Sequence, residues 1–265
     1  MSQATMNLVR TFCGVLVLGP AVFSSFRATA QPISVPNFSF ESQTAPNAYP
    51  YVNTSVDAWQ KAPEPGYWPL VETNYGIPWS GTAGVFLDVN PYANHDGSQV
   101  GYILSFPGVA LYQDYTTSPT HDFNATYNVG RSYEMTVGVF GKPSVAPGST
   151  LQLSLYYLDN LNNMVTVGST TVTYDPNVFV VPTNGPLNLI DFTVNVPIVQ
   201  ASDAWAGQHI GIELLSTTPL QQSSGGNWDI DNVRLTETPE PAMGTLGLLG
   251  MAIVGMRKRI AARQT

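Results

Sequence analysis

The sequence predicts an all-β protein: a two-sheet antiparallel jelly-roll β-sandwich between a helical signal peptide and a C-terminal hydrophobic helix. Two observations in the body carry that expectation. Short runs alternate apolar and polar residues with period two, and Gly-, Pro- and Asn-rich turn signals separate the runs. A third lies at the two ends, where short apolar segments have the form of targeting labels.

At the N-terminus, Arg10 gives a weakly basic start. Phe12 to Phe23 is apolar apart from Gly14, Gly19 and Pro20, and Ala28-Thr29-Ala30 offers a small-residue cleavage site ahead of Gln31. A buried strand would be interrupted by Pro20, so residues 1–30 read as a cleaved signal peptide. The single cysteine, Cys13, lies inside it, and the exported domain must be held by its own core without disulfides.

In the body, residues 31–236, Tyr133, Met135, Val137 and Val139 share one face of a strand, and Leu151, Leu153, Leu155 and Tyr157 share a face of the next. Phe192, Val194 and Val196 alternate in the same way, as do Ile210, Ile212 and Leu214. Turn signals fall between them at Lys142-Pro143, Ala146-Pro147-Gly148, Asp175-Pro176-Asn177 and Ser223 to Asn227. No window outside the termini holds a helical period over about 12 residues or more, so no helix is expected there.

The tail, residues 237–265, runs Pro239-Glu240-Pro241, then an apolar stretch Ala242 to Met256, then Arg257-Lys258-Arg259. As a helix the stretch would be about 22 Å long, short of a bilayer core near ~30 Å unless the basic residues snorkel. The basic cluster would hold the C-terminus in the cytoplasm and leave the domain on the far side of the membrane.

The chain has 10 basic and 18 acidic residues, but six of the basic ones sit in the two targeting segments. Between those segments only Lys61, Arg131, Lys142 and Arg234 stand against 16 of the 18 acids, a balance of −12. Such a surface repels phosphate backbones and argues against nucleic acid as a partner. It suits neutral polysaccharide, divalent cations or water.

Two resemblances follow from these residues. The Pro-Glu-Pro triplet, apolar run and basic end resemble the bacterial PEP-CTERM sorting signal. That resemblance implies export by the general secretion machinery and a transient stay in the inner membrane. An exosortase-type enzyme would then cut near Pro239-Glu240-Pro241 and deliver the protein to the cell surface or extracellular matrix; a plain uncut anchor is the alternative. The body resembles jelly-roll, galactose-binding-like and carbohydrate-binding-module domains. The resemblance rests on Asn37-Phe38-Ser39-Phe40-Glu41 at the opening, Asp96-Gly97-Ser98-Gln99 and Leu111-Tyr112-Gln113 in the middle, and Asp231-Asn232-Val233 at the close.

Candidate sites come from three patterns. In the first strand Ile33 and Val35 are out of phase with Phe38 and Phe40, and in the last Trp228 and Ile230 are out of phase with Val233 and Leu235. Each slip predicts a bulge with acid beside it. Glu41 and Asp231, with Asp229 as a weaker third, are therefore candidate ligands for a structural Ca²⁺; simple hydrogen bonding to turns is the alternative. Asp88, Asn90, Asn94 and Asp96 form a second acidic patch that lacks the closing glutamate of an EF-hand loop and reads better as turn-formers. The Pro- and Gly-rich stretch 45–80 reads as a long loop carrying Trp59, Tyr67, Trp68, Tyr75 and Trp79. These rings either stack on sugars or seal the core, with Tyr92 and Tyr112 as auxiliaries.

Catalysis leaves no local signature. No nucleophile elbow or zinc-protease motif is present, and His95, His121 and His209 lack metal-ligand spacing. The sequence therefore predicts no catalytic residues and no enzyme. The expected role is a non-catalytic carbohydrate-binding surface or matrix protein. The alternatives are a structural surface protein without a specific ligand and, less favoured, a polysaccharide hydrolase or lyase.

Overall fold

The computed structural model describes residues 29–48, 51–87 and 92–240. Most of the expected signal peptide, with Ala28, and the tail from Pro241 through Arg257, Lys258 and Arg259 lie outside the described residues. No helix among the described residues is long and apolar enough to cross a membrane.

The elements run β1 (Gln31–Ile33), β2 (Val52–Asn53), β3 (Gln60–Lys61), α1 (Trp68–Tyr75), β4 (Ala83–Leu87), β5 (Gln99–Leu104), β6 (Ala110–Gln113) and β7 (Arg131–Gly141). They continue with β8 (Thr150–Leu158), β9 (Met164–Thr173), β10 (Ile190–Val196), β11 (Gly211–Ser216) and β12 (Asn227–Pro239). A seven-stranded sheet has the order β10-β7-β12-β5-β4-β2, with β1 added beside β12. A five-stranded sheet has the order β3-β6-β11-β8-β9. All pairings are antiparallel, and the expected sandwich is present.

The predicted inward faces form the core. Tyr133, Met135, Val137 and Val139 are buried, as are Leu151, Leu153 and Leu155, Val194 and Val196, and Ile210, Ile212 and Leu214. Tyr157 and Phe192 pack at its margin. Alternation produces this because a pleated strand sends successive side chains to opposite faces.

The predicted bulge in the last strand is present. The β12–β7 register shifts between Asp231 and Arg234, and Asn232 takes a left-handed φ of 55°. Trp228, Ile230, Val233 and Leu235 are consequently all buried despite their phase difference. In the first segment the slip has another cause. β1 ends at Ile33, and the chain turns through residues 36–40 with Asn37 and Phe40 at positive φ. Phe40 is fully buried while Phe38 stays exposed.

Two glutamines of the recognised motifs fasten this opening segment. Gln99 donates to the carbonyls of Phe40 and Gln43 and accepts from the Ala45 N–H, and Gln113 donates to the Pro36 carbonyl. Both side chains are buried, and the chain opening supplies backbone partners for the Gln99 amide and the Gln113 Nε2, leaving Gln113 Oε1 without one.

The stretch expected to be a loop without helix instead contains α1. Pro69 occupies its first turn, where the missing N–H costs nothing, and Gly76 ends it at φ 67°. Two turns are too short to show a period in sequence. The helix is held by burial of Trp68 and Val71.

Candidate functional site

An apolar cleft of about 420 Å³ opens on the outward side of the seven-stranded sheet. Its walls are Val52, Ile77, Phe86, Tyr102 and Leu104, with Lys142 and Asn227 as its polar groups beside Gly81. Cross-strand pairing builds it: Gly84 lies opposite Tyr102, and Tyr102 opposite Asp229. A Cβ at Gly84 would stand 2.9 Å from Tyr102 Cε1, so glycine there lets the ring lie across β4. Tyr102 donates to the Gly81 carbonyl at 3.2 Å, and burial pushes its phenol up to about 12, which keeps it a neutral hydrogen-bond donor.

Beside the cleft, on the same face of the sheet as Tyr102, Asp229 is fully buried. Its carboxylate accepts from Lys142 Nζ at 2.7 Å, from the Tyr92 hydroxyl and from the Asn227 amide. The Lys142 ammonium also stands 5.6 Å from the centroid of Phe86 and 5.3 Å from that of Tyr92. This arrangement orients a cation by one carboxylate and two ring faces. Lys142 and Asn227 line the cleft, whereas Asp229, on the same face of the sheet as Tyr102, is covered by its partners and does not line it.

The three candidate metal ligands are not gathered together. Glu41 and Asp231 meet at the turn Asp96 to Gln99. Glu41 Oε1 accepts the N–H groups of Ser98 at 2.8 Å and Gln99 at 2.6 Å, and Asp231 Oδ2 accepts that of Asp96 at 2.7 Å. Gly97, at φ +87°, passes so close to the Glu41 carboxyl that a Cβ would clash at 2.4 Å. Asp229 belongs instead to the cleft. Burial raises the Asp231 carboxyl to about 7, and its Oδ1 is buried without a partner. An oxygen-liganded cation fits that orphaned atom. Among the described residues, however, no group of three His, Cys, Asp or Glu side chains converges, so the remaining ligands would have to be backbone carbonyls.

The five aromatic candidates divide into two groups. Trp59 is buried and stacks on Phe40, and Trp68 is fully buried against Trp79 and Phe106. Each indole N–H is satisfied internally: Trp59 on the Asn37 carbonyl, Trp68 on Ile77 and Trp79 on Ala62. Trp68 therefore presents no face to a sugar, and Trp59, though mostly covered, borders the polar groove along β3. Tyr67 and Trp79 are half-buried, and Tyr75 is exposed. Of the auxiliaries, Tyr92 is buried on Asp229, and Tyr112 lies half-buried on the other sheet. In the second acidic patch, Asn94 exchanges hydrogen bonds with the backbone of Leu189, a long-range tie and not the local capping of a turn-former; Asp88 and Asn90 lie outside the described residues.

A second, polar groove of about 570 Å³ runs along edge strand β3. Gln43, Asp57, Lys61, Thr117, Ser118 and Asp122 are among its lining residues, and it shares none with the cleft.

No curated protein matches the chain. Among solved structures, it is similar to a cyclase from Fischerella sp. TAU, at 19% identity and TM-score 0.51, covering 80% of this chain and 99% of that one. It is also similar to the Stig cyclase Fisc from Fischerella sp. TAU, in complex with (3Z)-3-(1-methyl-2-pyrrolidinylidene)-3H-indole. That likeness has 21% identity and TM-score 0.51, covering 80% and 100% of the two chains. A looser likeness, TM-score 0.38 at 10% identity, is to a CBM22-1 xylan-binding domain from Paenibacillus barcinonensis, over 70% of this chain and 88% of that one. At these identities the two cyclase likenesses show a shared fold.

The expectation of a non-enzyme is corrected by a family model described as HpiC1 cyclase, which matches residues 31–236. The expectation rested on the absence of a local catalytic motif, and side chains contributed by separate strands of a sandwich need leave none. The chain belongs to the HpiC1-like family.

Proposed function

We propose that the protein catalyses the cyclisation of an apolar, ring-bearing substrate held in the cleft between β4, β5 and β12. The carrying observation is the Lys142 ammonium, set in the wall of a mainly apolar cleft and oriented by the adjoining buried Asp229. One route to ring closure without loss of atoms delivers a proton to an unsaturated substrate and recovers one after the new bond forms. Lys142 is the proton donor facing the substrate, and its amine takes the proton back after the new bond forms. Asp229 is a positioning residue. Phe86 and Tyr102 supply flat apolar surface, and water exclusion strengthens the charge effect.

The test uses (3Z)-3-(1-methyl-2-pyrrolidinylidene)-3H-indole as a probe, read by calorimetry. Binding should be lost in Leu104→Asp and retained in Tyr75→Ala. Absence of binding to the folded protein, or binding indifferent to Leu104→Asp, overturns the assignment of the cleft.

A second reading is favoured by the polar groove at β3: carbohydrate binding there, through side chains such as Gln43, Asp57 and Ser118. A glycan-array screen checks it, and a blank array from folded protein rejects it. For the address, the support is the Ala28-Thr29-Ala30 site and the Pro239-Glu240-Pro241 tail: export, exosortase sorting, and a final place at the cell surface or matrix. A mature mass lacking residues 1–30 and 242–265 is the expected outcome. A structural Ca²⁺ between Glu41 and Asp231 is proposed on the orphaned Asp231 oxygen.

A further inference from the structure

Edge strand β3 places one lysine in an unusual position. Lys61 pairs with Leu111, whose side chain is wholly in the core, so Lys61 emerges on the core-facing side of the strand at the open margin of the sandwich. Its stem is half-buried there, and its ammonium donates to the backbone carbonyl of Ser80. The other three basic residues of the domain each pair with an acid: Arg131 with Glu237, Lys142 with Asp229 and Arg234 with Asp191. Among the described residues no acid pairs with Lys61, in a domain where acids far outnumber bases.

Lys61 lines the 570 Å³ polar groove, and so do the carboxylates of Asp57 and Asp122. Those acids make the groove unsuited to an anionic ligand. They suit a neutral, hydroxylated one, and they can pass protons. A lysine deprived of water and of an ion-pair partner holds its proton weakly and becomes a nucleophile. Burial lowers the Lys61 ammonium to about 8.

We propose that Lys61 is a carbonyl-trapping amine that condenses with the aldehyde of a small hydroxylated compound, such as an open-chain sugar, bound in the β3 groove. The Nζ lone pair attacks the carbonyl carbon, and a proton moves from nitrogen to oxygen. The resulting carbinolamine then loses water to leave an imine. This step needs no oxidant or reductant, and one water is released per imine formed. It rests on the reading of the groove as a site for hydroxylated ligands and is independent of chemistry in the cleft.

The test is reductive trapping of the full chain with glycolaldehyde and cyanoborohydride, followed by peptide mass analysis. The chain has three lysines, Lys61, Lys142 and Lys258, so the modified site is read without ambiguity. At pH 8, Lys61 should be labelled about tenfold faster than Lys258 or more. Its labelling rate should rise through pH 8, and the preference should vanish in denaturant. Labelling of Lys61 no faster than Lys258 in folded protein overturns the proposal. Lys61→Met preserves the buried stem and should remove the fast-labelled peptide while leaving the cleft probe bound. Glycan binding in the groove without fast labelling of Lys61 sinks the imine step and leaves the groove reading intact. Fast labelling with a blank glycan array keeps the amine reactive and confines its ligands to small carbonyl compounds.

Discussion

The Lys142 ammonium stands 2.7 Å from Asp229 Oδ2, the lysine partly open to the cleft and the carboxylate fully buried. The pair joins the end of β7 to the start of β12 and ties the chemistry of the cleft to the stability of the sheet. Removing the cation would leave a buried charge held by Tyr92 and Asn227 without its counterion. Lys142→Met is expected to cost about 3 kcal/mol in urea denaturation. Asp229→Asn, which keeps an oxygen for hydrogen bonding, is expected to cost less. A double-mutant cycle should return a coupling of about 1 kcal/mol or more, and strict additivity would mean that the pair contributes nothing.

Trp68 and Tyr75 belong to the same two-turn helix but differ in burial. Trp68→Ala removes a fully buried indole from contact with Trp79 and Phe106 and should cost about 3–5 kcal/mol. Tyr75→Ala, on the exposed side, should stay within about 0.5 kcal/mol. Thermal unfolding of the two variants decides the matter. Equal effects would place the aromatic cluster outside the core.

Gly97 combines a positive φ with a carboxyl group where its side chain would be. Gly97→Ala should destabilise the protein by about 2 kcal/mol or more. Shortening Glu41 to Ala in the same chain should recover part of that loss if the clash is the cause. No recovery would assign the whole effect to backbone strain.

Asp231 sets a pH dependence. Its folded value, about 7, lies above the ordinary carboxylate value of 3.8, so between those limits the native state binds more protons than the unfolded one. The contribution is fully present below about pH 4 and is lost as pH rises through about 7. Asp231→Asn should flatten this slope in equilibrium denaturation. Saturating Ca²⁺ should flatten it too, because a bound cation keeps the carboxylate ionised, and chelation should restore it. A slope indifferent to Ca²⁺ would remove the cation from this site.

Much of the fold was legible because strand alternation is local. The period-two runs around Tyr133, Leu151 and Ile210 needed no tertiary information, and the phase slip between Ile230 and Val233 announced the bulge found between Asp231 and Arg234. Helix α1 was not legible, since two turns carry too little periodicity and its stability comes from Trp68 beneath it. Of the candidate metal ligands, Glu41 and Asp231 do reach the same turn, whereas Asp229 beside them faces a different environment. Spacing alone could not separate two acids two residues apart.

By itself, the sequence determined the β class, the inward faces and the absence of disulfides in the domain. These are properties of composition and short-range pattern. The tertiary structure decided which side chains meet: Lys142 with Asp229, Glu41 with Gly97, and Lys61 with a groove instead of an acid. Such meetings depend on strand order and register, which bring together residues distant in the chain, and no local pattern encodes which strand lies beside which.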